Sequence, residues 1–293
     1  MFPSWAELGL FYCAAVWGAT FFMVKDALNG VDPVSLVAHR FLLSAFLLAP
    51  WALTRPARFK HLKESAILAV LLFLLYVSQT IGLGYTTASN SGFITGLFVI
   101  FVPIFLLMFF GRPPTKVQWA SSLLALGGLW FLTGGIRSAN FGDLITLIAA
   151  ATYAGHLLAT DKYVRADADA LILAFHQFWM TGLLAAAMAF FTGRSFAVGS
   201  SHAVGTIVFL AVVPTLSAFF IQMWAQKTVQ PVKVSLVFSL EPVFAALFAW
   251  TLGGEPFSPG RAAGGGLIVL AMMAGEISKL DLLKGRRKEV LPS

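Results

Sequence analysis

The side chains able to do chemistry sit inside long apolar runs. Trp17, Thr20 and Phe21 fall at the three- and four-residue spacing that puts side chains on one helix face; Tyr76, Gln79 and Thr80 do the same, as do Tyr153, His156 and Thr160. Asn90 and Ser91 open a further run, His39 and Arg40 stand together in another, and Glu241 immediately precedes Pro242. Rings, hydroxyls, an amide and an imidazole hold a small solute by stacking and hydrogen bonding. The same groups also bond helices to one another. For Glu241 two roles stay open: bracing a helix in which Pro242 frees the carbonyl of Phe238, or serving as a proton site or an anchor for a substrate ammonium. Arg40 is expected to snorkel to the outer interface.

Bond-making chemistry has no support. His39, His156 and His176 lie in different runs without a carboxylate at ligand spacing, and the single Cys13 excludes a Cys-built zinc site and an intramolecular disulfide. The P-loop, dinucleotide-binding, zinc-protease and nucleophile-elbow motifs are all missing, so no cofactor and no metal are expected, and the pattern is not that of an enzyme.

The elements that must position these residues cross a membrane. Of 293 residues 58% are hydrophobic and 11% charged, with a mean hydropathy of +0.83, against about 25% charged in soluble domains. Ten runs of near-membrane length occur, at 6–25, 34–53, 65–84, 86–110, 117–134, 141–160, 170–192, 203–226, 231–252 and 260–277. The first has no basic residue before it and no small-residue cleavage site after it, so it is expected to remain as a span. The net charge of +7 is scattered between the runs, which argues against nucleic acid. Alternate connections hold fifteen and four of the Lys and Arg residues. Short basic connections stay on the cytoplasmic side, so both termini are expected there.

The first five runs resemble the last five. Glu7, Trp17 and Thr20 fall on Asp143, Tyr153 and His156 at an offset of 136, and Pro103 falls on Pro242 at 139. Five is odd, so the halves 1–137 and 138–278 would enter the membrane from opposite sides, followed by a basic tail, 279–293. This predicts an all-α membrane protein with ten helices in two inverted five-helix repeats. Gly92 and Gly96, and Gly260 and Gly264, form G-x-x-x-G pairs read as packing within one monomer rather than a dimer.

The segments "AAVWGATFFMVKDAL", "HRFLLSAFLL", "GYTTASNSGFITGLFVIFVPIF", "FGDLITLIAAATYAGHLLATDK" and "SLVFSLEPVFAALFAWTLGGE" resemble the drug/metabolite transporter superfamily, EamA type. Within it the chain is most similar to bacterial amino-acid exporters of the aromatic, YddG type. The resemblance implies a basket of helices around a central cavity that opens to one side at a time, in a bacterial inner membrane.

Charge narrows the substrate. Phosphorylated solutes need Arg or Lys at the cavity, and Arg40 is the only basic residue deep in a run. A cation antiporter would keep an acid in mid-span one, where Trp17 stands. The expected function is export of amino acids, aromatic ones included, and related small metabolites by facilitative alternating access. Trp17, Thr20, Tyr76, Gln79, Thr80, Asn90, Tyr153, His156 and Glu241 are the candidate binding residues, with membrane lipid the other partner. A proton-coupled drug/metabolite antiporter, a lipid flippase or a channel is the alternative.

Overall fold

A computed structural model describes residues 4–86, 88–133, 140–251 and 257–289, without the side chains of 89, 90, 133, 249 and 275–289. Among the described residues every regular element is helical: α1 (Trp5–Ala27), α2 (Pro33–Leu53), α3 (Leu62–Tyr85), α4 (Ala88–Gly96), α5 (Phe98–Phe110), α6 (Lys116–Thr133), α7 (Phe141–Arg165), α8 (Ala170–Phe191), α9 (Ser201–Leu210), α10 (Ala218–Gln226), α11 (Pro231–Phe238), α12 (Glu241–Thr251) and α13 (Pro259–Glu289). Among the described residues eight segments are long and apolar enough to span a membrane, and Pro259–Ala274 is a shorter apolar helix.

Helix starts follow local chemistry. Ser4 and Glu7 close a capping box at α1, each side chain taking the other residue's backbone N–H. Asn140 and Asp143 close one at α7, at the offset of 136 that relates Glu7 to Asp143. Asp32 and Asp169 cap α2 and α8 with their carboxylates.

Three apolar runs that read as continuous spans are interrupted. The run 86–110 breaks at Leu97, whose N–H steps back three residues to the Ile94 carbonyl. The run 231–252 breaks between α11 and α12, where Leu240 N–H reaches Val237 and Pro242 has no N–H to offer Phe238. The run 203–226 holds a π-helical segment, Ala211–Ser217, around Pro214. The last run departs differently, α13 continuing past residue 277 to Glu289.

The π segment is tied to its neighbours through the carbonyls that a wide turn and a proline leave open. Thr215 Oγ1 donates to the Leu210 carbonyl at 2.7 Å, Ser44 on α2 to Ala211 at 3.0 Å, and Trp17 on α1 to Pro214 at 2.7 Å. Thr215 Oγ1 in turn accepts from Arg40 Nε at 2.6 Å. Thr215→Val keeps the shape and removes that oxygen, and is expected to cost about 2 kcal/mol by orphaning a buried charged donor. Unfolding of the purified protein in detergent measures this; a change within about 0.5 kcal/mol, the usual surface range, would show that the guanidinium does not depend on Thr215.

The two ends of the bundle are held by different contacts. At one end Lys25 donates to the carbonyls of Leu83 and Thr86, and Thr86 Oγ1 donates to Asp143 Oδ1 at 2.5 Å. The C-terminal ends of α1 and α3 thus meet the N-terminal end of α7. At the other end Glu7 pairs with Lys233, and Arg165 donates to Asp161 at 2.7 Å and to the Val229 carbonyl at 2.8 Å.

Candidate functional site

Between these ends lies a small cavity lined by α1, α3, α7, α10 and α12. Trp17, Phe21, Tyr76, Tyr153 and Phe219 supply its rings, Leu75 further apolar surface, and Thr20, Gln79 and Glu241 its other polar groups. Trp17, Thr20 and Phe21 reach it from one face of α1, and Tyr76 and Gln79 from α3, because both helices are unbroken there.

The rings are fixed by one another. Trp17 meets Phe219 at 5.3 Å, Phe238 at 4.9 Å and Tyr153 at 6.4 Å between centroids. With its N–H committed to Pro214, Trp17 presents an aromatic surface and no free donor. Thr20 turns its hydroxyl proton to the Trp17 carbonyl at 2.7 Å, and Gln79 donates to Thr95 at 3.2 Å.

Glu241 is buried, and Tyr153 OH donates to its Oε1 at 2.7 Å. Its position depends on close approach of α1 and α12. A Cβ on Gly18 would come within 2.5 Å of the Glu241 carbonyl oxygen and 2.9 Å of Phe244 Cβ, so only glycine fits there.

Several expected residues lie elsewhere. His156 and Thr80 are buried but do not line the cavity. The His156 imidazole takes Gln177 on α8 as partner, Nε2 to Oε1 at 2.9 Å, and stands edge-on behind Phe219 at 5.8 Å. The side chain of Asn90 lies outside the described residues. Arg40 is not at the interface but 2% exposed, bonded to Thr215 and, through Nη2, to Tyr76 OH at 3.3 Å. Its guanidinium lies 4.4 Å from the Tyr76 ring centroid. Snorkelling fails because two hydroxyls and two aromatic faces satisfy it in the interior.

Phe219 was not singled out by the periodicity. It follows the π segment, which winds more residues into a turn and shifts the faces of the helix after it. Pro214 within an apolar run is the signal for that irregularity.

An all-helical bundle of apolar spans around a small polar and aromatic cavity is the architecture of a membrane carrier. The profile of the EamA-like transporter family matches residues 4–134 and again 140–274, so the chain belongs to that family. An uncharacterized transporter of Archaeoglobus fulgidus is 31% identical over 92% of this chain and 85% of its own length. The uncharacterized inner membrane transporter YedA of Escherichia coli K12 is 26% identical over 92% of this chain and 90% of its own. A protein solved by crystallography superposes with a TM-score of 0.78 at 18% identity, covering 93% of this chain and 97% of the other, and shares the fold. The chain is a multi-pass membrane transporter.

Proposed function

We propose that this transporter exports amino acids, aromatic ones among them, and related small metabolites, by alternating access driven by the substrate gradient. The observation that carries this is the cavity wall. Five aromatic rings accept an apolar side chain, and among the described lining residues there is a single acid and no Lys or Arg. Such a site suits a solute with little net charge and disfavours phosphorylated ones. Trp17, Thr20, Tyr76, Gln79, Tyr153 and Glu241 are the groups that hold it.

The architecture proposed with this function is ten spans in two inverted halves, 1–137 and 138–278, with both termini on the cytoplasmic side of a bacterial inner membrane. The family profile matching twice supports two repeats. So do the paired capping boxes at Glu7 and Asp143, and the meeting of the α7 start with the α1 end through Thr86. Two such halves rocking about a midplane site are the means of alternating access in inverted-repeat carriers.

Purified protein in liposomes is expected to carry labelled phenylalanine, tyrosine or tryptophan down a gradient with saturation. No flux of any amino acid in a broad panel would overturn the reading. Glu241 in the wall favours one second reading, proton coupling. It would replace the facilitative mechanism if an imposed pH gradient drove uphill uptake and Glu241→Gln abolished that while sparing exchange.

A further inference from the structure

Two buried ionisable groups of opposite sign, Glu241 in the cavity wall and Arg40 behind Tyr76, stand close to the site without pairing. Arg40 has no carboxylate partner among the described residues; its acceptors are Thr215 and Tyr76. Glu241 has no cationic partner among them; its donor is Tyr153. A buried ion is costly, and in a membrane segment it is kept where it meets a partner or a substrate.

Arg40 reaches the cavity through Tyr76, whereas Glu241 lines it beside Tyr153, and the two tyrosines lean on different helices. Tyr76 packs on Phe41 of α2 at 5.0 Å, beside Arg40. Tyr153 packs on Phe98 of α5 at 4.4 Å and on Phe238 of α11 at 6.3 Å, beside Glu241. Both tyrosines line the cavity.

The hydrogen bonds run in opposite senses. Tyr76 OH accepts from Arg40 Nη2, which leaves its own proton for an outside acceptor and makes it a stronger donor. Tyr153 OH donates to Glu241, which leaves hydroxyl and carboxylate lone pairs for an outside donor. One side is built to give a hydrogen bond to an anion. The other is built to accept hydrogen bonds from a cation.

We propose that the cavity is a dipolar receptacle for a zwitterion, with the substrate ammonium at Glu241 and Tyr153 and its carboxylate at Tyr76, where Arg40 acts as a positioning residue through the tyrosine hydroxyl. This rests on the cavity being the transport site and sets an orientation within it. The recognised unit is the pair of opposite charges, with the rings of Trp17 and Phe219 left for the apolar remainder of the solute.

Calorimetric titration of the purified full-length protein in detergent with phenylalanine, phenethylamine and phenylpropionate tests this. Phenylalanine is expected to bind at least about tenfold more tightly than either single-charge analogue, the worth of one charge-assisted hydrogen bond. Tyr76→Phe keeps the ring and removes the hydroxyl. It is expected to weaken phenylalanine and phenylpropionate by about tenfold while leaving phenethylamine within about twofold. Glu241→Gln is expected to do the converse, and Arg40→Gln to follow Tyr76→Phe. A purely structural role would weaken all three ligands alike, so equal weakening by Tyr76→Phe overturns the proposal even if the Arg40 variant does not fold. If liposomes carry amino acids yet either single-charge analogue binds as tightly as phenylalanine, the dipolar site fails and the proposed function stands. If no amino acid is carried but phenylalanine still binds about tenfold more tightly than either single-charge analogue, the proposed function fails and the dipolar site stands.

Discussion

Tyr153→Phe is expected to slow transport by about tenfold or more and to destabilise the protein by about 2 kcal/mol, because the buried Glu241 loses the hydroxyl that donates to it. The ring and its contacts with Phe98 and Trp17 remain, so the loss belongs to one hydrogen bond. Removing one partner of a buried polar pair costs more than removing both, since the remaining group keeps its desolvation penalty. Tyr153→Phe and Glu241→Leu together are therefore expected to cost less than the sum of the single changes, by about 1.5–3 kcal/mol. Unfolding of the four proteins in mixed micelles reads this coupling. Strict additivity would show that Tyr153 and Glu241 do not act as a pair.

The largest loss of stability is expected at Gly264→Leu. Here α13 lies against α6 so closely that a Cβ on Gly264 would come within 2.2 Å of the Leu132 backbone nitrogen and 2.7 Å of the Gly128 carbonyl oxygen. The obstructing atoms are backbone, so no rotamer relieves the clash and the helices must separate. Overpacking of this kind costs about 3 kcal/mol or more, and small residues supply much of helix association in lipid, where apolar side chains gain little by leaving the solvent. A sharp fall in unfolding midpoint and in monodisperse yield is the expected result. Gly260→Leu is the control: nothing lies within 4 Å of a Cβ at Gly260, and the midpoint is expected to hold. Equal losses at both positions would mean that the α6–α13 contact does not set the effect. In both G-x-x-x-G pairs the second glycine meets a residue of its own chain, Gly264 at Leu132 and Gly96 at Leu129, while the first meets none.

Much of the site was legible before any fold was known, for a simple reason. Trp17, Thr20, Tyr76 and Gln79 stand on uninterrupted helices, where spacing alone determines a shared face. Tyr153 lines the cavity from α7 on the same principle, and Glu241 announced itself as a charge beside a proline in an apolar run. His156 shows the limit of spacing. It lies one turn from Tyr153, yet Gln177 of α8 holds its ring behind Phe219, and no periodicity within one helix reports what a neighbouring helix offers.

Composition and hydropathy by themselves determined the solvent, the helical class, the approximate positions of the spans and the family motifs, because a lipid environment forces each segment to satisfy its backbone internally. Only the tertiary structure decided where those helices break, which way α10 turns Phe219, and that Arg40 belongs to the interior rather than the interface. Each of these depends on groups from distant parts of the chain meeting. Trp17 and Ser44 take up the carbonyls of the π segment, and Thr215 and Tyr76 solvate the guanidinium that water would otherwise hold. A buried charge is placed by its partners, and those partners are chosen by packing across the bundle.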